Sequence, residues 1–180
     1  MVKVNLKQIV EIPEGTKVEM NKFLVKVTGP QGTLERSFVH PILKIIKTEE
    51  GLVIETKNAT KREKRMTNTF VAHLKNMIKG VNESFEYNLK ICSGHFPMTV
   101  NIEGDRLIVK NFLGEKISRK AKILPNVNVE IKGNEISVSS INLEAAGQTA
   151  ANMESSTRIT NRDRRVFQDG IYITKKPKQK

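Results

Sequence analysis

The chain has 180 residues, with 31 Lys and Arg against 19 Asp and Glu, a net charge of +12 and one cysteine. That length holds one ordinary domain or two small ones, and the cationic surplus favours a polyanionic partner, nucleic acid first. Cys92 alone excludes an intramolecular disulfide and suits the cytosol, no apolar run reaches the ~18 residues of a membrane span, and Met1 to Lys7 alternates like a strand rather than forming a secretory core.

Residues 1–16 are expected to form a short leading strand that ends at the turn Ile12-Pro13-Glu14-Gly15. Val18-Glu19-Met20 and Phe23 to Val27 flank Asn21-Lys22 as a tight hairpin, and Gly29-Pro30-Gln31-Gly32 turns the chain into Thr33 to Val39. A phosphate-binding loop there would need a lysine and hydroxyl pair, or a third glycine opening a helix; this turn leads into another strand and is read as structural. Ile42 to Ile46 and Leu52 to Ile54 flank Glu49-Glu50-Gly51 as a second hairpin.

Thr60-Lys61-Arg62-Glu63 has the spacing of a capping box, so a helix should run from Thr60 to Lys79 with Gly80 closing it. Met66, Phe70, Leu74, Met77 and Ile78 make its apolar stripe, which leaves Lys61, Arg62, Lys64, Arg65 and Lys75 for other faces. Those charges are either a solvated helix face or a nucleic-acid contact. Val81 to Asn88 reads as a short junction, too brief for a flexible linker, which would hold two domains in a fixed relation.

Tyr87 to Ile91 then leads to Ser93-Gly94-His95-Phe96-Pro97. Cys92 and His95 resemble a nucleophile and base only in composition, because no carboxylate stands near them in sequence to orient the imidazole. Met98 to Ile102 and Leu107 to Asn111 flank Glu103-Gly104-Asp105 as a hairpin, and Phe112 to Lys116 turns out of it. After Gly114, the cations Lys116, Arg119, Lys120 and Lys122 concentrate in one segment, as a solvated edge or a phosphate contact. Val127 to Ile131 and Ile136 to Val138 flank Lys132-Gly133-Asn134-Glu135. Asn142 then caps a helix to Arg158 striped by Leu143, Ala146, Ala150 and Met153, with Gly147 an internal weak point.

The pattern occurs twice. Val18 and Met20 correspond to Val100 and Ile102, and Leu43, Ile45, Leu52 and Ile54 to Val127, Val129, Ile136 and Val138, each series ending in a helix. We therefore expect an α+β tandem duplication, with repeats at 1–81 and 82–172, each of antiparallel hairpins on one helix, and a basic tail at 173–180. Arg158, Arg162, Arg164 and Arg165, then Gly170 and Tyr172, then Lys175-Lys176-Pro177-Lys178-Gln179-Lys180, make the most partner-like stretch. Arginine forks match phosphate oxygens, Tyr172 can stack on a base, and Gly170 lets a backbone approach. The competing reading has Phe167 and Tyr172 anchoring the tail, with the lysines merely solubilising it.

Gly29-Pro30-x-Gly32-Thr33-Leu34, His95-Phe96-Pro97, Asn111-Phe112-Leu113-Gly114-Glu115-Lys116 and Asp169-Gly170-Ile171-Tyr172, in that order on a tandem repeat, resemble the universal large-subunit ribosomal protein six family in its archaeal and eukaryotic form. Gly147 to Asn152 and Arg164 to Gln168 are more similar to the archaeal branch. The resemblance implies two domains, each a small sheet backed by one helix, in a non-catalytic protein without cofactor or small-molecule substrate. It implies a place in the cytoplasmic large subunit, bound to rRNA beside other ribosomal proteins, near the sarcin-ricin loop and the stalk base where translational GTPases dock. It also implies RNA contact after Gly114 and over Arg158 to Lys176, within which the individual residues are chosen by charge. In this picture the two domains brace separate rRNA elements and the tail orders on phosphates.

Two other classes share the charge. A free RNA-binding regulator would need its own recognition surface, yet no aromatic-rich sheet motif for stacking bases is visible. A metal-dependent nucleic-acid enzyme would gather carboxylates, whereas here they scatter through hairpin turns.

Overall fold

In the computed structural model, residues 4–48 and 51–177 are described. The chain divides into two compact units, Met1–Ser84 and Phe85–Lys180.

In the first unit, β1 (Val4–Val10), β6 (Gly51–Ala59) and β5 (Lys44–Thr48) form one antiparallel sheet in the order β1-β6-β5. A second sheet runs β2-β3-β4, from Lys17–Asn21, Leu24–Gly29 and Gly32–Ser37. Helix α1 (Lys61–Asn82) packs on both sheets. Its start is the expected capping box: the Thr60 amide donates to Glu63 Oε2 at 2.8 Å, the Arg62 amide to Thr60 Oγ1 at 3.3 Å, and the Thr60 hydroxyl to Glu63. Phe70, Leu74, Met77 and Ile78 are buried against Val10, Val25, Val27, Leu52 and Ile54, each large side chain contributing roughly 1.5–3 kcal/mol by area.

Gly80 does not end α1. It is buried within the helix, whose cap is Glu83. The carbonyl of Val81, which has no partner within the helix, accepts from the Gln31 amide at 2.9 Å. A Cβ on Gly29 would lie 2.7 Å from that same oxygen, so the Gly29-Pro30-Gln31-Gly32 turn is a cap for the helix end that only glycine fits. The turn residues Glu49 and Glu50 lie outside the described residues, although Thr48 and Gly51 pair on either side of them.

The second unit repeats this plan. Strands β7 (Phe85–Cys92), β12 (Glu135–Ser140) and β11 (Asn128–Lys132) answer β1, β6 and β5, and β8 (Thr99–Glu103), β9 (Arg106–Lys110) and β10 (Arg119–Lys122) answer β2, β3 and β4. Helix α2 (Leu143–Ser156) is capped by the Asn142 side chain, which accepts from the Glu144 and Ala145 amides. Its buried face is Ala146, Thr149, Ala150 and Met153, and Gly147 is where the Tyr87 hydroxyl lies against the helix, 2.9 Å from where a Cβ would stand.

Two boundaries differ from expectation. Strand β7 begins at Phe85, so the junction shrinks to Glu83-Ser84, because Phe85 is buried rather than part of a polar connector. The expected α+β plan of antiparallel strands on one helix is present in each unit, where the strands form two small sheets among the described residues. The segment expected to start a separate tail at 173 is instead the second half of β13 (Gly170–Lys175), which pairs antiparallel with β7 and makes the sheet β11-β12-β7-β13. Ile171 is fully buried there, and that burial draws the strand into the core. The tail residues Lys178, Gln179 and Lys180 lie outside the described residues.

Candidate nucleic-acid interface

Three motifs far apart in sequence meet in the second unit. Asp169, 3% exposed, accepts from the amides of Gly94 at 2.6 Å and His95 at 3.0 Å, and from His95 Nδ1 at 2.6 Å. Burial pushes its carboxyl up, but the hydrogen bonds from His95 and Gly94 outweigh that and hold it below its ordinary value. The orienting carboxylate missing from the sequence around His95 is therefore supplied 74 residues later. It serves as a latch on a loop: the His95 ring stacks on Phe167 at 4.6 Å, Phe96 lies over Gly114, and Asn111 Nδ2 donates to the Pro97 carbonyl at 2.9 Å.

Asn111, Leu113 and Gly114 all have positive φ, at 59°, 50° and 80°. For Leu113 this is an uncommon conformation that its neighbours must enforce. The single 3₁₀ turn at Phe112–Gly114 buries Phe112 and leaves Lys116 exposed beyond it.

Arg119, expected to meet phosphate, has partners within the chain. Its Nε and one terminal nitrogen grip both oxygens of Glu115 at 2.8 and 2.6 Å, and its other terminal nitrogen donates to the carbonyls of Ser156 and Arg158 at 3.1 and 2.9 Å. Its guanidinium also lies 4.2 Å from the centre of the Phe112 ring. Arg119 thus ties β10 to the end of α2, and the hydrogen bond from Arg119 holds the Glu115 carboxyl below its usual range against the opposing effect of burial, with the charges of Arg119 and Arg162 assisting.

This tie brings the segment after Gly114 beside the segment after α2. Lys120 and Lys122 alternate outward from β10 while Ala121 faces the core. Arg158, Arg162 and Arg164 are exposed, with Arg162 4.8 Å above the Phe167 ring, and Arg158 and Arg164 line a cavity of about 360 Å³ with Tyr172. Arg165 closes on Asp163 through its backbone amide and a side-chain fork with contacts of 2.8–3.2 Å, an exposed pair that solvent screens.

Gly170 and Tyr172 also have partners within the fold. Gly170 is buried at φ 150°, and the space a Cβ would need is held by Thr157 and the Tyr172 ring at 3.3 Å. The Tyr172 hydroxyl donates to the Asp169 carbonyl at 3.2 Å, and burial raises its pKa. Both residues anchor β13, the competing reading of this stretch. Lys175 and Lys176 are exposed, but Lys175 is five residues along β13 from Gly170, about 16 Å at strand rise, and so belongs to another part of the surface. Lys61, Arg62, Lys64 and Arg65 are all exposed on the first turns of α1 in the first unit. No described helix is long and apolar enough to cross a membrane.

The model for Ribosomal protein L6 matches the chain twice, at residues 12–84 and 96–170, once in each unit. The chain is 48% identical to the large ribosomal subunit protein uL6 of Methanosarcina mazei over 98% of its length and 99% of the relative's. It is 44% identical to uL6 of Methanobrevibacter smithii, with the same coverage, and 44% identical to that of Aeropyrum pernix over 94% of both chains. A duplicated α+β unit with latched signature motifs and near-complete alignment to archaeal relatives leaves one conclusion: the chain belongs to the ribosomal protein L6 family, whose members are structural rather than enzymatic.

Proposed function

We propose that this chain is a structural, rRNA-binding component of the large ribosomal subunit, and that its second unit makes the main rRNA contact through Lys116, Lys120, Lys122, Arg158, Arg162 and Arg164. The observation that carries this reading is the Arg119 tie, which draws two cationic segments into one neighbourhood while leaving the other cations outward. Cations held on a rigid frame lose little entropy when they meet phosphates, and each contact releases counterions. By family resemblance the contact lies near the sarcin-ricin loop and the stalk base, beside the docking surface of translational GTPases. Other ribosomal proteins are its neighbours.

Reversing Arg158, Arg162 and Arg164 to Glu together should lower the slope of log affinity against log salt for large-subunit rRNA by about 2–3, at roughly 0.7–0.9 per lost phosphate contact. A filter-binding titration across salt measures this, and an unchanged slope refutes the assignment. The location has a separate test. An iron chelate on Lys116→Cys, in a Cys92→Ser background and assembled into subunits, should cleave rRNA near the sarcin-ricin loop; cleavage confined elsewhere keeps rRNA binding and overturns the position.

A further inference from the structure

Among the described residues, β13 is present in the second unit alone, and this difference leaves an opening. In the second unit β7 is sandwiched between β12 and β13, whereas in the first, among the described residues, β1 pairs only with β6. Val10 opposite Leu52 corresponds to Leu89 opposite Ile136, all four at most 2% exposed, so the registers superimpose. A Cβ on Gly51 would lie 2.3 Å from the Val10 carbonyl oxygen, which therefore points at β6. Because successive residues in a strand turn their backbone groups to opposite sides, Ile9 and Glu11 present theirs away from β6, along the open edge.

That edge is bordered by a groove of about 730 Å³ between Ile9, Val10, Glu11, Pro13 and Glu14 on one side and Lys75, Ile78, Lys79, Asn82 and Glu83 of α1 on the other. It is the position β13 fills in the second unit, where β13 also reaches the helix: the Ile171 amide donates to Thr157 Oγ1 at 2.9 Å and the Ile173 amide to Glu154 Oε1 at 3.1 Å. In the first unit Ile9 is left 44% exposed, an apolar residue on an open strand edge.

We propose that this groove receives an extended segment of another large-subunit protein, which adds to β1 as an antiparallel fourth strand. The second unit supplies the form of the occupant, a strand of alternating apolar side chains like Ile171 and Ile173. The charge of the groove selects protein over RNA, since Glu11, Glu14 and Glu83 outnumber the two lysines lining it in a chain that is otherwise strongly cationic. Main-chain hydrogen bonds along the edge supply affinity, and the pocket beside Ile9 and Ile78 selects the side chain.

This inference rests on the chain being a large-subunit component, so its test reads both. A photoreactive benzoylphenylalanine in place of Ile9 is introduced into the full chain, subunits are isolated by sedimentation, and crosslinks are mapped by mass spectrometry. In parallel, amide exchange at Ile9 and Glu11 is compared between the free chain and the assembled subunit. We expect crosslinks to one stretch of a single other ribosomal protein, and exchange at both amides at least tenfold slower in the subunit. Crosslinks to rRNA, crosslinks to a second copy of this chain, or no crosslink with unchanged exchange, in subunits that do contain the chain, each overturn the proposal. Absence of the chain from subunits overturns the functional reading itself, and this inference with it.

Discussion

Asp169 shows how much one side chain can organise. It stands immediately before β13 and takes three hydrogen bonds from the Gly94-His95 segment. Because its folded pKa lies below the ordinary 3.8, its stabilisation is complete above the unfolded value of about 3.9 and is lost as pH falls through the folded value. Asp169→Asn should destabilise the second unit by about 1–3 kcal/mol near neutral pH, and its deficit against wild type should shrink below about pH 4. Both tyrosines, Tyr87 and Tyr172, lie in that unit, so urea titrations followed by tyrosine fluorescence measure it; a deficit equal at pH 7 and pH 3 would refute the charge argument. No sequence window could reveal this contact, since His95 and Asp169 are 74 residues apart. The Gly29 turn was legible, because glycine and proline at that spacing announce a reversal wherever they occur. The contacts that Arg119, Gly170 and Tyr172 make inside the fold were not legible for one reason: charge and flexibility are visible in a sequence, but the partners a group finds across the fold are not.

Helices and hairpins were legible because each is a local agreement of caps, turns and periodicity. Thr60 to Glu63 and Asn142 announced both helix starts, and the apolar stripe of α1 fell where it was read. The sheets were not, since alternation tells which face of a strand is buried and says nothing of which strands share a sheet. Strand β13 was the hardest case: it is short, follows a run of arginines, ends at Lys175, and has no counterpart among the described residues of the first copy to betray it. Its weight in the fold is testable by truncation. A chain ending at Asp169 loses Ile171 from the core and bares the edge of β7, and should lose the cooperative tyrosine transition of the second unit while α1 keeps its helical circular dichroism. A retained tyrosine transition with an unshifted midpoint would make β13 an accessory.

Taken whole, the molecule carries its charge evenly. Residues 1–84 hold 15 Lys and Arg against 9 Asp and Glu, and residues 85–180 hold 16 against 10, a net +6 in each. Net charge therefore does not choose between the units; the proposed contact in the second rests on the Arg119 tie, which brings two cationic segments together. Each unit has its own core, one around Leu52, Leu74 and Val81, the other around Leu89, Leu107 and Ile136. Leu74→Ala, at a fully buried position, should cost the first unit about 2–5 kcal/mol and leave the tyrosine-monitored midpoint of the second in place. Thermal melts by circular dichroism and by fluorescence check this, and a joint shift would mean the two unfold as one. The unfilled edge of β1 has a consequence of its own. Strand edges that end in free hydrogen-bonding groups template aggregation, and Lys7 is the only described cation on this one. A chain with that rim uncovered would be prone to stick to other copies of itself, and a strand laid against β1 would remove the hazard.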